Sequence, residues 1–231
     1  MLFLSIRIIK KATMRLQRPL VLAALGGACL AAQAVTLVST GFDTGAEGWF
    51  AANGASSTHY ATTGGDPGGY VWATDTTAQK IWIFVAPSAY FGDFSAALAG
   101  SLSFSLRTSS PGTPQNLLIG DVKISGNGID LVTNISSPPT ATWTNYSVTL
   151  APSAAWYVGV IGGTLATSAD FASVLSNVSA LHIRGDFTNT GEATGLDSVV
   201  LATAAPVPEP ASWALLLAGA GAITSLVRRR R

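Results

Sequence analysis

Leu102-Ser103-Phe104-Ser105-Leu106 alternates apolar and polar residues at every step. A period of two is what a strand with one buried face requires, because successive side chains point to opposite sides of a pleated sheet. The same alternation returns in Tyr146-Ser147-Val148-Thr149-Leu150 and in Leu181-His182-Ile183-Arg184. Moving outward from these runs, the expected strands are 35–38, 70–73, 81–85, 117–124, 129–133, 156–160 and 196–202. Turn clusters separate them: Gly64-Gly65-Asp66-Pro67-Gly68-Gly69, Ser109-Ser110-Pro111-Gly112, Gly126-Asn127-Gly128 and Ser137-Pro138-Pro139. Roughly ten short strands spaced by turns predict an all-β fold, an antiparallel β-sandwich or jelly roll. One short helix is expected at 169–175, because Thr167 and Asp170 stand at capping-box spacing before it.

Charge is segregated along the 231 residues. Five basic residues lie between Arg7 and Arg18, and Arg228, Arg229, Arg230 and Arg231 close the chain. Between Val35 and Glu209 four basic residues face twelve acidic ones, a formal charge of −8. That middle excludes nucleic acid, whose phosphates require a Lys/Arg surface, and is compatible with a bound divalent cation. The single cysteine, Cys29, lies in the N-terminal apolar run, so the middle has neither a disulfide framework nor Cys-based chemistry. Two histidines, His59 and His182, are too few for a histidine-rich metal site. No G-x-S-x-G elbow precedes a helix, so nothing specifies a nucleophile, and the expectation is a protein that is not an enzyme.

The two ends read as processing segments. Met14-Arg15-Leu16-Gln17-Arg18 is a basic n-region, Pro19 to Ala31 an apolar core, and Ala32-Gln33-Ala34 an A-x-A cleavage site. Residues 1–34 are therefore expected to be a signal peptide helix, with Met14 as the better translation start and cleavage after Ala34. The alternatives are an uncut membrane anchor or a lipid-modified Cys29, the latter lacking the large aliphatic residue expected upstream. At the other end, Val207-Pro208-Glu209-Pro210 precedes an apolar run of 17 residues, Ala211 to Val227, and then the four arginines. That run is at the short limit for a transmembrane helix, and the arginines would hold its end in the cytoplasm. The expected organisation is a sandwich over 35–203, a Pro-rich linker over 204–210 and a hydrophobic sorting helix over 211–231. The tail closely resembles the PEP-CTERM sorting signal of Gram-negative bacteria. The resemblance implies recognition by an exosortase partner and a membrane-held precursor. It also implies a destination at the cell surface or in an extracellular polysaccharide matrix.

The middle carries an ordered set of short motifs. Phe42-Asp43 and Gly48-Trp49 open it, followed by Gly69-Tyr70-Val71-Trp72, Tyr90-Phe91-Gly92-Asp93-Phe94 and Gly100-Ser101-Leu102-Ser103-Phe104. Trp143-Thr144-Asn145-Tyr146, Leu181-His182-Ile183-Arg184-Gly185 and Leu196-Asp197-Ser198-Val199 complete it. This order resembles the laminin B (laminin IV type A) domain over about Phe42 to Leu201. The resemblance implies a galactose-binding-like jelly roll, an extracellular adhesive role and no enzymatic activity.

Three sets of residues are candidates for a site. Asp43 follows the first strand and Asp197 begins the last. If those strands adjoin, the two carboxylates could hold a structural calcium, a hard cation that takes oxygen ligands, with Glu47 and Asp93 joining. The alternative is that both aspartates bond turn N–H groups. The aromatic residues form the second set, since sugars stack on exposed rings. Trp49, Trp72 and Trp143 are expected in the core, whereas Trp82, alternating with Ile81 and Ile83, and Trp156, beside Tyr157, are the surface candidates. The third set is the row His182, Arg184 and Asp186, opposite Leu181 and Ile183, which could bond a hydroxylated ligand or form a solvated strand face. Together these features favour an exported, non-enzymatic protein that binds carbohydrate or adheres. The alternatives are a purely structural biofilm-matrix protein and a polysaccharide hydrolase.

Overall fold

A computed structural model describes residues 33–77, 80–111, 118–152, 155–188 and 191–205. Thirteen strands and one α-helix follow in chain order: β1 (Thr36–Thr40), β2 (Phe50–Ala52), β3 (His59–Ala61), β4 (Tyr70–Thr74), β5 (Ile83–Val85), β6 (Ser101–Thr108), β7 (Val122–Gly126), β8 (Ile129–Thr133), β9 (Thr144–Thr149), β10 (Trp156–Val158), β11 (Thr164–Leu165), α1 (Ser168–Leu175), β12 (Val178–Arg184) and β13 (Ala193–Ala202).

The strands form two antiparallel sheets. One runs β3-β4-β13-β6-β9, with β1 also pairing with β13; the other runs β11-β10-β8-β7-β12-β5-β2. The ten-residue β13 organises the first sheet. Its first half pairs with β4, its second half with β1, and its other edge with β6 throughout. A bulge between Asp197 and Val200, with Ser198 at φ +51°, lets Leu196 and Val199 both face the core. First and last strands thus adjoin, and Val35 and Thr203 close the ladder with bonds of 2.9 Å in each direction.

Alternation decides which side chains meet between the sheets. Leu102, Phe104 and Leu106 of β6 are buried against Phe84, Ile124, Leu131, Leu181 and Ile183 of the opposite sheet. Trp49 lies edge-on to Tyr90 at 5.3 Å, and Tyr90 donates to the Val199 carbonyl at 3.0 Å. Burial pushes the Tyr90 phenol up to about 12. Helix α1 covers β7 and β8 with Phe171, Val174 and Leu175, and Thr167 and Asp170 complete the expected capping box at its start. The strands that alternation did not indicate are β2, β3 and β11. They are two or three residues long, too short to display a period.

Candidate functional site

Strand register assembles one row across the outer face of the β3-β4-β13-β6-β9 sheet. His59 lies opposite Trp72, Trp72 opposite Gly195, and Gly195 opposite Arg107. Trp143, just before β9, ends the row, and Tyr70 stands beside Trp72 on the same face. Their neighbours Val71, Ala73, Thr194 and Leu106 face inward and are buried. His59 stacks on Trp72 with 4.3 Å between ring centres. The Arg107 guanidinium sits 4.5 Å from the Tyr70 ring and 4.8 Å from the Trp143 ring, so two aromatic faces hold one cation. Gly195 allows this closure, since a Cβ there would lie 3.0 Å from Trp143 and 3.2 Å from Tyr70. The result is a groove of about 330 Å³, lined by Tyr70, Trp72, Arg107, Ser109 and Gly195 among others. It combines ring faces with a planar hydrogen-bond donor.

The turn 64–69 borders this groove and is held by side chains. Trp143 Nε1 donates to the Gly64 carbonyl at 2.8 Å. Ser198 Oγ donates to the Asp66 carbonyl at 2.7 Å, and Ser105 Oγ donates to Asp66 Oδ2 at 3.0 Å. Asp197 accepts backbone N–H groups on both oxygens, from Asp66 on Oδ2 and from Ser198 on Oδ1. Burial raises the Asp197 carboxyl above the usual range, and the neighbouring Asp66 and Asp43 add to the rise. Asp43 reaches the same turn, because a Cβ on Gly68 would lie 3.2 Å from Asp43 Oδ1. A Cβ on Gly65 would stand 2.5 Å from Asp197 Oδ2 and closer still to the Gly69 carbonyl. The fold therefore brings Asp43 and Asp197 to one turn, together with Asp66. The oxygens crowding the bare Cα of Gly65 are of the hard kind that calcium takes, but both Asp197 oxygens already accept backbone N–H groups. Asp93 is engaged differently: its Oδ1 accepts from the Ser95 N–H at 2.9 Å and from the Ser95 hydroxyl at 2.6 Å.

The aromatic expectations are largely reversed. Trp82 is fully buried, 5.0 Å edge-on to Phe84, and Trp156 is buried against Phe171 with its Nε1 bonded to the Thr149 carbonyl at 2.8 Å. Neither ring is available to a ligand. The 81–85 segment does alternate, but Ile81 and Ile83 take the outer side because a second groove lies there. Conversely Trp72 and Trp143, expected in the core beside Trp49, are partly exposed. Only Trp49 of that trio is buried.

The row His182, Arg184 and Asp186 does not form a solvated face. His182 is half-buried in the second groove, of about 340 Å³, with Asn53, Lys123, Asp130 and Asp121. Burial, and then the Lys123 charge, hold its imidazole below the ordinary histidine range. Arg184 and Asp186 are both 3% exposed. The segment leading to β7 covers Arg184, whose Nη1 donates to Asp121 Oδ1 at 3.1 Å. Asp186 turns inward, where burial and then Glu192 and Asp75 push its carboxyl up to about 7.

Ala34 lies exposed just before β1. Ala32, the Val207-Pro208-Glu209-Pro210 motif, the apolar run and Arg228 to Arg231 fall outside the described residues. Among the described residues no helix is long and apolar enough to cross a membrane.

These features define a class: an antiparallel β-sandwich with a lateral groove on each sheet. The Laminin B (Domain IV) family profile matches residues 83–214, more than half of the sequence, and the chain belongs to that family. Residues 206–231 match the PEP-CTERM protein-sorting motif, which indicates an exported protein processed by exosortase. The L4b domain of human laminin alpha-2 is similar at 14% identity and a TM-score of 0.50, covering 58% of this chain and 79% of that one. The carbohydrate-binding module CtCBM11 is similar at 17% identity and a TM-score of 0.43, covering 75% and 98%. The C-terminal family 22 carbohydrate binding module of Clostridium thermocellum Xyn10B is similar at 11% identity and 0.42, covering 74% and 96%. Among curated protein sequences none matches.

Proposed function

We propose that this exported sandwich is a non-catalytic module that binds polysaccharide of the cell surface or extracellular matrix through the His59–Trp72–Gly195–Arg107–Trp143 row. One observation carries the reading: Arg107 is fixed between Tyr70 and Trp143 beside the partly exposed Trp72. Sugar C–H faces pack on aromatic rings, while hydroxyls or acidic groups take the guanidinium donors in a pre-set plane. Because both rings and register fix Arg107, little side-chain entropy is lost on binding. The binding test is a polysaccharide pull-down or glycan array with the wild-type chain, Trp72→Ala and Arg107→Ala. Retention that the substitutions abolish, with melting temperature unchanged, supports the reading. Absence of any glycan retention would favour a purely structural matrix protein, and turnover of a labelled polysaccharide would favour a hydrolase.

The same reading includes a structural calcium at Asp43 and Asp197, with Asp66 beside them. An ion there would hold the 64–69 turn, and that turn carries the Trp143 contact at Gly64. Calcium would then act on carbohydrate affinity through Trp143. A calcium-dependent rise in melting temperature, absent in Asp197→Ala, tests it; an unchanged melting temperature at millimolar calcium would sink it. In this account the precursor is membrane-held through 211–227 until exosortase acts. Cleavage after Ala34 would leave Val35 clamped to Thr203 at the first rung of the sheet.

A further inference from the structure

In a second group of carboxylates every member is buried, whereas at the 64–69 turn only Asp197 is. Asp75 follows β4, Glu192 precedes β13, and Asp186 lies in the segment leaving β12. Their exposures are 8%, 0% and 3%. One oxygen from each comes within 4.8 Å of the others. The ladder enforces part of this arrangement: the Asp75 N–H donates to the Glu192 carbonyl at 2.9 Å, so the two residues stand opposite each other. Glu192 is fixed further. Its Oε1 accepts N–H groups of Phe187 and Thr188 at 2.8 and 3.0 Å, and its Oε2 accepts the Thr188 hydroxyl at 2.8 Å. Asp75 Oδ1 accepts from the Thr77 N–H at 2.9 Å.

Independent atoms point to something missing from this centre. Asp186 Oδ1 is buried without a hydrogen-bond partner. So are the hydroxyls of Thr194, 0% exposed, and Thr108, 2% exposed. Thr194 is opposite Thr108 on one side and Ala73 on the other, all three on the inner face. Glu192 and Asp75 are each two residues along from Thr194 and Ala73, and so share that face. Buried polar oxygens normally have partners, so an orphaned oxygen within the cluster, with two orphaned hydroxyls on the adjoining inner face, asks for one.

We infer that Asp75, Asp186 and Glu192 bind a hard divalent cation, calcium in an exported protein, at a site separate from Asp43 and Asp197. The donors are all oxygen, the set hard cations prefer, and their spacing fits within twice a Ca–O distance of about 2.3–2.6 Å. The ion would tie the last strand to β4 and to the end of β12, across both sheets. Water or the orphaned threonine hydroxyls would complete its shell.

The test measures bound calcium per chain by equilibrium dialysis on the full chain, after stripping with EDTA. Melting temperature in EDTA and in millimolar calcium is followed in parallel. Asp186→Asn is expected to lose one equivalent of calcium and keep whatever Asp197→Asn loses. Asp75→Asn serves as a second variant should Asp186→Asn fold poorly. In EDTA, Asp186→Asn should melt at or above the wild type, because one repelling charge is gone; in calcium the order should invert. Unchanged calcium stoichiometry in both variants overturns the inference. An equal rise in melting temperature in EDTA and calcium also overturns it, and shows instead a proton shared between Asp186 and Glu192.

Discussion

Gly185→Ala tests the packing that removes Trp82 from the ligand surface. Gly185 follows β12, and its N–H donates to the Trp82 carbonyl at 3.1 Å. A Cβ at this position would lie under 3.0 Å from three carbons of the Trp82 six-membered ring, a separation real Cβ atoms essentially never show. The ring is fully buried and packs edge-on to Phe84, so it cannot swing into solvent. Backbone strain does not enter, because the Gly185 φ lies outside the left-handed region. Overpacking of this kind costs roughly 1–3 kcal/mol, and at a site this confined the upper end applies. The unfolded chain loses freedom with alanine, which returns about 0.4–1 kcal/mol. The net expectation is a destabilisation of about 2 kcal/mol, or a melting temperature lower by roughly 4–8 °C. Urea unfolding followed by tryptophan fluorescence measures it. The penalty should shrink when Trp82 is replaced by leucine in the same chain, a coupling that a double-mutant cycle isolates. A change below about 0.5 kcal/mol, the range of surface substitutions, or an equal penalty in the Trp82→Leu background, would refute the buried placement.

Asp121→Ala should cost about 3–5 kcal/mol, since it removes the carboxylate of a buried ion pair with Arg184. It also removes the acceptor that the Ile135 N–H uses at 3.0 Å. Thr167→Ala should cost about 1 kcal/mol through loss of the capping box of α1, read as a shifted urea midpoint with an unchanged slope. His182 is held below its ordinary value, so the unfolded chain binds more protons there as pH falls beneath about 6.5. The His182 contribution to stability should therefore fall on acidification through that window, against the opposite contribution of Asp186, whose carboxyl, pushed up to about 7, takes up a proton on folding. His182→Gln should flatten the melting-temperature profile between neutral and mildly acidic pH, and an unchanged profile would count against the depressed value.

The sandwich was legible because β6, β9 and β12 each bury one face, and burial of one face is what alternation records. Strand β8 was expected at Ile129–Thr133 and occurs there. The capping box was equally plain, being a local interaction over four residues. What alternation cannot supply is sign. Around Trp82 both sides are apolar, because Ile81 and Ile83 line a groove, so the period was right and the face inverted. The Trp72 site did carry a signal: Val71 and Ala73 alternate with Tyr70 and Trp72, and a glycine inside a strand marks close approach by another group. Joining them required knowing that Gly195 lies between Trp72 and Arg107, a register set by non-local pairing. Asp75, Asp186 and Glu192 are separated by more than a hundred residues from first to last. No spacing rule reaches across two sheets to connect them.

The central claim is that the outer face of the β3-β4-β13-β6-β9 sheet binds carbohydrate. Affinity electrophoresis of the wild-type chain through gels containing matrix polysaccharide, alongside Trp72→Ala and His182→Ala, addresses it directly. The account predicts retardation of the wild type and of His182→Ala, and free migration of Trp72→Ala with an unchanged melting temperature. Undiminished retardation of Trp72→Ala, or loss of retardation only in His182→Ala, would contradict it.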